Sequence, residues 1–218
     1  MPEDRSDLTM GLEIKEIVVG PLEVNCYIVY DTENREAIVV DPGDEPDRIL
    51  DLITSANLKV RHIICTHTHF DHVGAIPELK EKTAAQIVIH EKEAEIYEAA
   101  RDMAAFWGYD VDPLPPPDIF VSEGDEIKTG NLVFRIIHTP GHSPGGICLY
   151  GSGIAITGDT LFAGSVGRTD LPGGDINLLK ESFKRLMSLP ENTAVLPGHG
   201  PRSTIGREKR ENFFINEV

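Results

Sequence analysis

The chain is short of positive charge, cysteine and long apolar runs, and each shortage removes a class of function. Its 20 Lys and Arg stand against 36 Asp and Glu, a formal net charge of −16. Binding a nucleic-acid backbone needs a surplus of Lys and Arg, so nucleic acid is not expected as the main partner. No run approaches the ~18 consecutive apolar residues of a membrane-spanning helix, so no membrane partner is expected. The start, Met1-Pro2-Glu3-Asp4-Arg5-Ser6-Asp7, is acidic and has no apolar stretch, unlike a secretory signal. The three cysteines, Cys26, Cys65 and Cys148, are odd in number and lie in apolar strand-like runs. They are expected to be buried free thiols of a cytoplasmic protein. There is no Ser–His or Cys–His nucleophile pattern either.

Histidine is also scarce, at 8 in 218 residues. Yet three fall in one stretch, Thr66-His67-Thr68-His69-Phe70-Asp71-His72. Random placement at this composition would give His-x-His-x-Asp-His with odds on the order of one in a thousand. An apolar run at 60–65 precedes the stretch and a helix-like run follows from Val73. That puts it in a tight loop at the carboxyl end of a strand, where α/β proteins build sites. If the loop starts extended, His67, His69 and Asp71 share one side and His72 points elsewhere, so the loop can feed two neighbouring metal ions.

Apolar alternation and turn residues predict strands at 12–19, 24–30, 36–40, 60–65, 86–90, 119–121, 126–128, 132–138, 146–150, 154–157 and 193–196. Asn25-Cys26-Tyr27 interrupts the second of these, and Asp41-Pro42-Gly43 reads as a turn after the third. Helices are predicted at 47–55, 75–82, 91–107, 175–189 and 206–215. Asp175 is the expected N-cap of the fourth, with Ile176, Leu179, Phe183 and Leu186 on one face. Residues 1–10 read as a frayed polar start. Prolines at 113 and 115–117 stop the third helix, and 108–118 is expected to cross the surface as an extended loop within one domain, 1–218. Two sheets with helices outside them fit this α/β pattern, although pattern alone does not single out a four-layer sandwich.

Three further strand-like runs end in a glycine beside a metal-competent residue: Pro140-Gly141-His142, Gly158-Asp159 and Pro197-Gly198-His199-Gly200. A lone His142 or His199 is more often a capped turn residue; the repeated strand–glycine–ligand arrangement makes the case for ligation. If these ends converge on the first loop, the site gathers His67, His69, Asp71, His72, His142, Asp159 and His199. Five His and two Asp suit two divalent ions such as zinc, with one carboxylate between them; iron or manganese would also suit. His62, His90 and His138 have no such context and are assigned to structure, with His138 or Thr139 able to back a ligand.

The series Thr-His-x-His-x-Asp-His, Pro-Gly-His, Gly-Asp and Pro-Gly-His-Gly resembles the metallo-β-lactamase fold superfamily, from about Glu13 to Gly206. The resemblance implies a four-layer αββα sandwich with the metal site at one edge. It implies His67, His69 and His142 as ligands of one metal, Asp71, His72 and His199 as ligands of the other, and Asp159 as the bridge. Class B β-lactamases usually carry Cys where Asp159 stands, which points away from antibiotic hydrolysis.

Gly158-Asp159-Thr160-Leu161-Phe162 and Gly167-Arg168-Thr169-Asp170 are similar to the glyoxalase II group, the hydroxyacylglutathione hydrolases, and most to its short bacterial branch. Full-length members add a C-terminal helical domain that holds glutathione, which this chain is expected to lack. They also contact glutathione through a Lys and, two residues on, a Tyr; here these positions are Arg168 and Asp170. Arg168 is the expected substrate contact, able to grip a carboxylate. The persulfide dioxygenases share Gly-Arg-Thr-Asp and the same ligands, with a single iron.

The expected function is therefore a metal-dependent hydrolase of a small-molecule thioester, S-D-lactoylglutathione or a relative. A metal ion lowers the pKa of bound water to about 7, giving hydroxide that attacks the carbonyl. Asp71 would orient that hydroxide, and a thiolate leaves without a strong acid. The alternatives are a mononuclear-iron persulfide dioxygenase and a non-catalytic metal-binding protein on the same fold. Residues 97–118, with Phe106, Trp107 and Tyr109, are candidates to cover the site and select substrate; core packing is the other reading.

Overall fold

The computed structural model describes residues 11–218; the polar start read at residues 1–10 lies outside the described residues. β1 (Leu12–Val19) alternates between buried and open positions, whereas β2 (Val24–Asp31) is buried throughout. With β3 (Glu36–Val40), β4 (Lys59–Ile64), β5 (Gln86–His90) and β6 (Ile119–Val121), they form a six-stranded sheet in sequence order. Pairing is antiparallel from β1 to β3 and parallel from β3 to β6. Parallel neighbours need crossovers. α1 (Pro46–Ser55), α2 (Ile76–Thr83) and α3 (Ala94–Phe106) supply them.

The second sheet holds β7 (Glu126–Thr129), β8 (Leu132–His138), β9 (Ile147–Gly151) and β10 (Ile154–Gly158), then β13 (Ala194–Pro197) and β14 (Ser203–Thr204). Its order is β14-β13-β10-β9-β8-β7. Between β10 and β13 come a small hairpin, β11 (Leu161–Phe162) with β12 (Ser165–Val166), and α4 (Ile176–Met187). α5 (Ile205–Glu211) follows β14.

Strand alternation sorts the apolar residues into three clusters. Tyr27, Val29, Ile38 and Ile64 meet Phe134, Ile136, Leu149 and Ile156 between the sheets. The other faces of the first sheet, through Ile28, Val39 and Ile63, receive Ile49, Ile76 and Leu79 from its helices. Cys148 and Val195, behind the second sheet, receive Leu179, Phe183 and Leu186 of α4. Helix, sheet, sheet and helix thus make the expected αββα sandwich.

Local departures have local causes. The third helix starts as a 3-10 turn, Glu91–Glu93, because the His90 side chain accepts from Lys92 N at 3.1 Å. The last helix breaks at Asn212, whose side chain caps a second 3-10 turn, Phe213–Glu217. Ile176 sits in the first turn of α4 and is exposed, unlike the rest of the predicted face. The three cysteines are buried and free. Among the described residues, no helix is long and apolar enough to cross a membrane.

Candidate metal centre

Each of the seven donors lies just past the carboxyl end of β4, β8, β10 or β13, so neighbouring strands of two facing sheets deliver them to one edge. The first loop does not stay extended. It folds at Phe70 into a 3-10 turn, Phe70–His72, closed by His72 N donating to His69 O at 2.9 Å. Asp71 therefore leaves the side shared by His67 and His69 and groups with His72 and His199 instead.

Three groups of possible ligand atoms result: His67, His69 and His142; His67, His72 and Asp159; and Asp71, His72 and His199. His142 Nε2 lies 3.0 Å from His69 Nδ1 and 3.3 Å from His67 Nε2. Asp159 faces both halves: Oδ2 is 3.7 Å from His142 Nε2 and 3.6 Å from His199 Nε2, and Oδ1 is 3.6 Å from His72 Nε2. Asp71 Oδ2 stands 3.5 Å from His199 Nε2 and 3.7 Å from His72 Nε2.

The two halves have different electrostatics. Burial and the neighbouring imidazoles push His67 down, and burial and His142 push His69 down to about 3. Both stay neutral, the form that ligates metal. On the other side burial opposes a charge on His72, but Asp71, Asp159 and Asp41 outweigh it and raise its pKa to about 10. His199 is raised in the same way by Asp71 and Asp159, against its burial. Burial would raise Asp71, but the charges of His72, His199 and His69 hold it below the usual carboxylate range.

The carboxylates thus draw positive charge into a buried position. His72 Nε2 and Asp159 Oδ1 are buried without a hydrogen-bond partner among the described residues, an arrangement that costs free energy unless something satisfies them. Borderline imidazole nitrogens and hard carboxylate oxygens, facing one another with unshared electron pairs, fit divalent metal ions.

Supporting residues hold these donors, and several were not apparent from the sequence. Asp41, read only as part of a turn, accepts from Thr66 N at 2.7 Å and Thr66 Oγ1 at 2.6 Å, and lies 3.2 Å from His72 Nδ1. It too ends a strand beside Pro and Gly, and that was the signal available. Glu93 is fully buried and ties two ligand loops together. It accepts from Thr68 N at 2.8 Å and Thr68 Oγ1 at 3.0 Å on one side, and from Gly145 N at 2.7 Å on the other.

Asn25 and Tyr27 do not interrupt β2. They reach across to the His199 turn: Asn25 Nδ2 donates to Pro197 O and Gly200 O, and Tyr27 Oη donates to Pro197 O at 2.8 Å. His142 Nδ1 donates to Arg168 O at 2.8 Å, which leaves Nε2 its lone pair. Thr139 meets Thr160, the neighbour of Asp159, at 3.0 Å. His138 stacks on His90 with ring centroids 4.2 Å apart and donates to Pro144 O.

Gly198 has a spatial reason to be glycine: a Cβ there would overlap Asp159 Oδ1 and press on His72 Cε1. Gly198→Ala is expected to weaken metal binding by roughly 10–100-fold, the scale of losing a ligand's support. Competition with a chromophoric chelator measures it; unchanged affinity would show that the turn relaxes around the methyl.

The cluster opens into a cavity of 540 Å³. α3 forms one wall through Ile96, Ala99 and Met103, and Trp107 follows at its end. Tyr109 lines the cavity too and stacks on Phe70 at 5.3 Å. Residues 97–118 therefore do border the site, but Phe106 points away and is 80% exposed. Arg168 reaches the wall, but its guanidinium is bound in two places by Asp170, Nε to Oδ1 at 2.6 Å and Nη2 to Oδ2 at 2.7 Å. It is not presented as a free group to the cavity.

Comparison with known proteins agrees with this geometry. Residues 19–199 match the model of the metallo-beta-lactamase superfamily. The chain is 37% identical to hydroxyacylglutathione hydrolase GloC of Haemophilus influenzae, over 95% of this chain and 99% of that one. A solved structure of TTHA1623 in a di-iron-bound form is 42% identical with a TM-score of 0.85, covering 92% of this chain and 99% of that one. The structure of BLEG-1 B3 metallo-beta-lactamase is 34% identical with a TM-score of 0.87, covering 93% and 99%. The matched segment runs from the end of β1 to His199 and includes all seven donors. By fold, site and sequence, the chain belongs to the metallo-beta-lactamase superfamily.

Proposed function

We propose that this protein is a metal-dependent thioester hydrolase of the glyoxalase II kind, acting on S-D-lactoylglutathione or a related small-molecule thioester. The observation that carries the reading is Asp159, whose carboxylate faces both halves of the donor set at the mouth of a cavity. His67, His69 and His142 would hold one ion, Asp71, His72 and His199 the other, and Asp159 both. Zinc suits the donors, as do iron and manganese; the 42% identical chain with two irons supports a two-metal occupancy. When bound, such ions supply a water whose pKa is lowered to about 7 and a Lewis acid for the carbonyl oxygen.

The chain's own groups do the rest. Asp71 is partly open to the cavity and stays ionised, so it can accept a hydrogen bond from the attacking water and orient it. His142 is kept in one tautomer by Arg168 O. No side chain is needed as nucleophile: burial pushes the Cys26 and Cys65 thiols well up, and Cys148 up to about 12. The thiolate leaves unprotonated. The GloC relative, at 37% identity over nearly the whole of both chains, supports thioester chemistry.

The test is metal analysis of protein purified without added metal, beside turnover of S-D-lactoylglutathione. About two ions per chain are expected, with activity lost to a chelator and restored by zinc. One iron with oxygen uptake on glutathione persulfide would replace this reading with the dioxygenase. No ester turnover by fully loaded protein would leave a metal-binding protein. A β-lactam is the control substrate, given the likeness to BLEG-1.

A further inference from the structure

Among the described residues, Asp71, Glu95 and Asp159 are the carboxylates that line the cavity. Asp71 and Asp159 are committed to the donor histidines. Glu95 is not: it lies in the first turn of α3 and is exposed. Arg168, the one Lys or Arg in the same lining, pairs at the surface with Asp170 instead. Glu95 has no ion-pair partner among the described residues, so the cavity holds one negative side chain that neither the donor set nor the fold uses.

Its place relative to the donors is fixed. Glu93, two residues earlier, accepts from Thr68 N at 2.8 Å and from Gly145 N at 2.7 Å. Thr68 sits between His67 and His69 in the chain. Two residues reach at most ~7 Å, so the first turn of α3 starts beside the donor loops. Ala99 and Met103 follow Glu95 at four-residue steps and line the same cavity, which puts Glu95 on the face of α3 that the cavity sees.

A glutathione thioester carries a single cation, the α-ammonium at the end of its γ-glutamyl arm. That arm extends about 10 Å from the sulfur, long enough to run from the donors to the first turn of α3. We infer that Glu95 receives this ammonium and is a specificity-determining residue of the site. The inference rests on the thioester reading and deepens it: the contact favours thiols that bear an ammonium on an arm of this length over purely anionic ones. An acidic residue in a first turn also steadies its helix through the dipole. That role alone predicts a loss of stability and the same kinetics for both kinds of thiol.

The test removes each partner of the contact in turn. S-D-lactoylglutathione is compared with its N-acetylated form, which has no ammonium, on the metal-loaded parent protein and on Glu95→Gln. Either change alone is expected to raise KM about threefold to fivefold, the reach of an exposed ion pair, with little change in kcat. Made together they should cost no more than one of them, because both delete the same contact. Losses that multiply, or a Glu95→Gln variant that treats the two esters as the parent does, would overturn the inference.

A second measurement reads binding without turnover. Trp107 is the only tryptophan in the chain and lines the cavity, so its fluorescence reports on this space. S-methylglutathione is expected to quench it saturably, with an affinity that falls threefold to fivefold on N-acetylation of the ligand or on Glu95→Gln, and no further with both. If that holds while neither ester turns over, the thioesterase reading fails and the ammonium contact stands. Equal affinity of both ligands for both proteins, or no binding of either, overturns the contact itself.

Discussion

Asp159→Ala is expected to remove both metal ions and to lower kcat/KM by more than the roughly 10–100-fold that follows loss of a merely supporting group. Its carboxylate faces His72 on one oxygen and both His142 and His199 on the other, so it stands between the two halves of the site. Without it, His72 and His199 lose one of the charges that favour a cation beside them. Asp71 remains, but it touches only the second half. Metal stoichiometry and turnover, measured on the same preparation, test this. Retention of two ions per chain would remove the bridging role.

Glu93→Ala should have a large effect on stability for a residue outside the donor set. The carboxylate accepts from Thr68 N, Thr68 Oγ1 and Gly145 N, all in the buried space between two ligand loops. The hydroxyl has Glu93 O as another acceptor at 3.2 Å, but the two backbone N–H groups would be left unpaired. A buried donor left unsatisfied costs about 1–3 kcal/mol, so a loss of roughly 2–6 kcal/mol is expected. That is a large share of the ~5–15 kcal/mol by which a domain is stable. Urea unfolding of the metal-free protein gives the number. Metal affinity should fall as well, because the His67–His72 loop and the His142 loop are no longer tied. Glu93→Gln keeps one accepting oxygen and should lie between the two. A loss below about 1 kcal/mol for the alanine would mean that the loops hold their shape without this clamp.

Why these two positions were unequally visible in the sequence is a matter of range. Asp159 follows an apolar run and a glycine, a local pattern repeated at His142 and His199, so its chemistry could be read from neighbours in the chain. Glu93 lies in a run rich in Glu and Ala that reads as an ordinary solvated helix. Its partners are Thr68 and Gly145, 25 and 52 residues away. Asp41 has the same problem, with its partner Thr66 25 residues on. Asn25 and Tyr27 looked like a flaw in a strand because their acceptors lie far along the chain, Pro197 at the end of β13 in the other sheet and Gly200 in the turn after it.

Arg168 shows a second limit. Its place in Gly167-Arg168-Thr169-Asp170 marks it as a contact for an anion, and it does reach the cavity. Whether a guanidinium is free or already matched depends on rotamers, and here Asp170 binds it in two places. The backbone carbonyl of the same residue serves the site instead, through His142.

The seven candidate donors and the strands they end were legible in the sequence by itself. Ligand type, glycine spacing and apolar alternation are local properties, written in consecutive residues. The four-layer sandwich was implied by the resemblance of its motifs; the alternation of strands and helices alone was compatible with it without singling it out. The tertiary structure supplied the physical reason for the division of the seven donors that the family resemblance implies and that an extended loop would not give. A single 3-10 turn at Phe70 moved Asp71 from the company of His67 and His69 to that of His72 and His199. It also placed α3 as an apolar wall and matched Arg168 with Asp170. These outcomes depend on distances between segments that are far apart in the chain, and packing sets those distances.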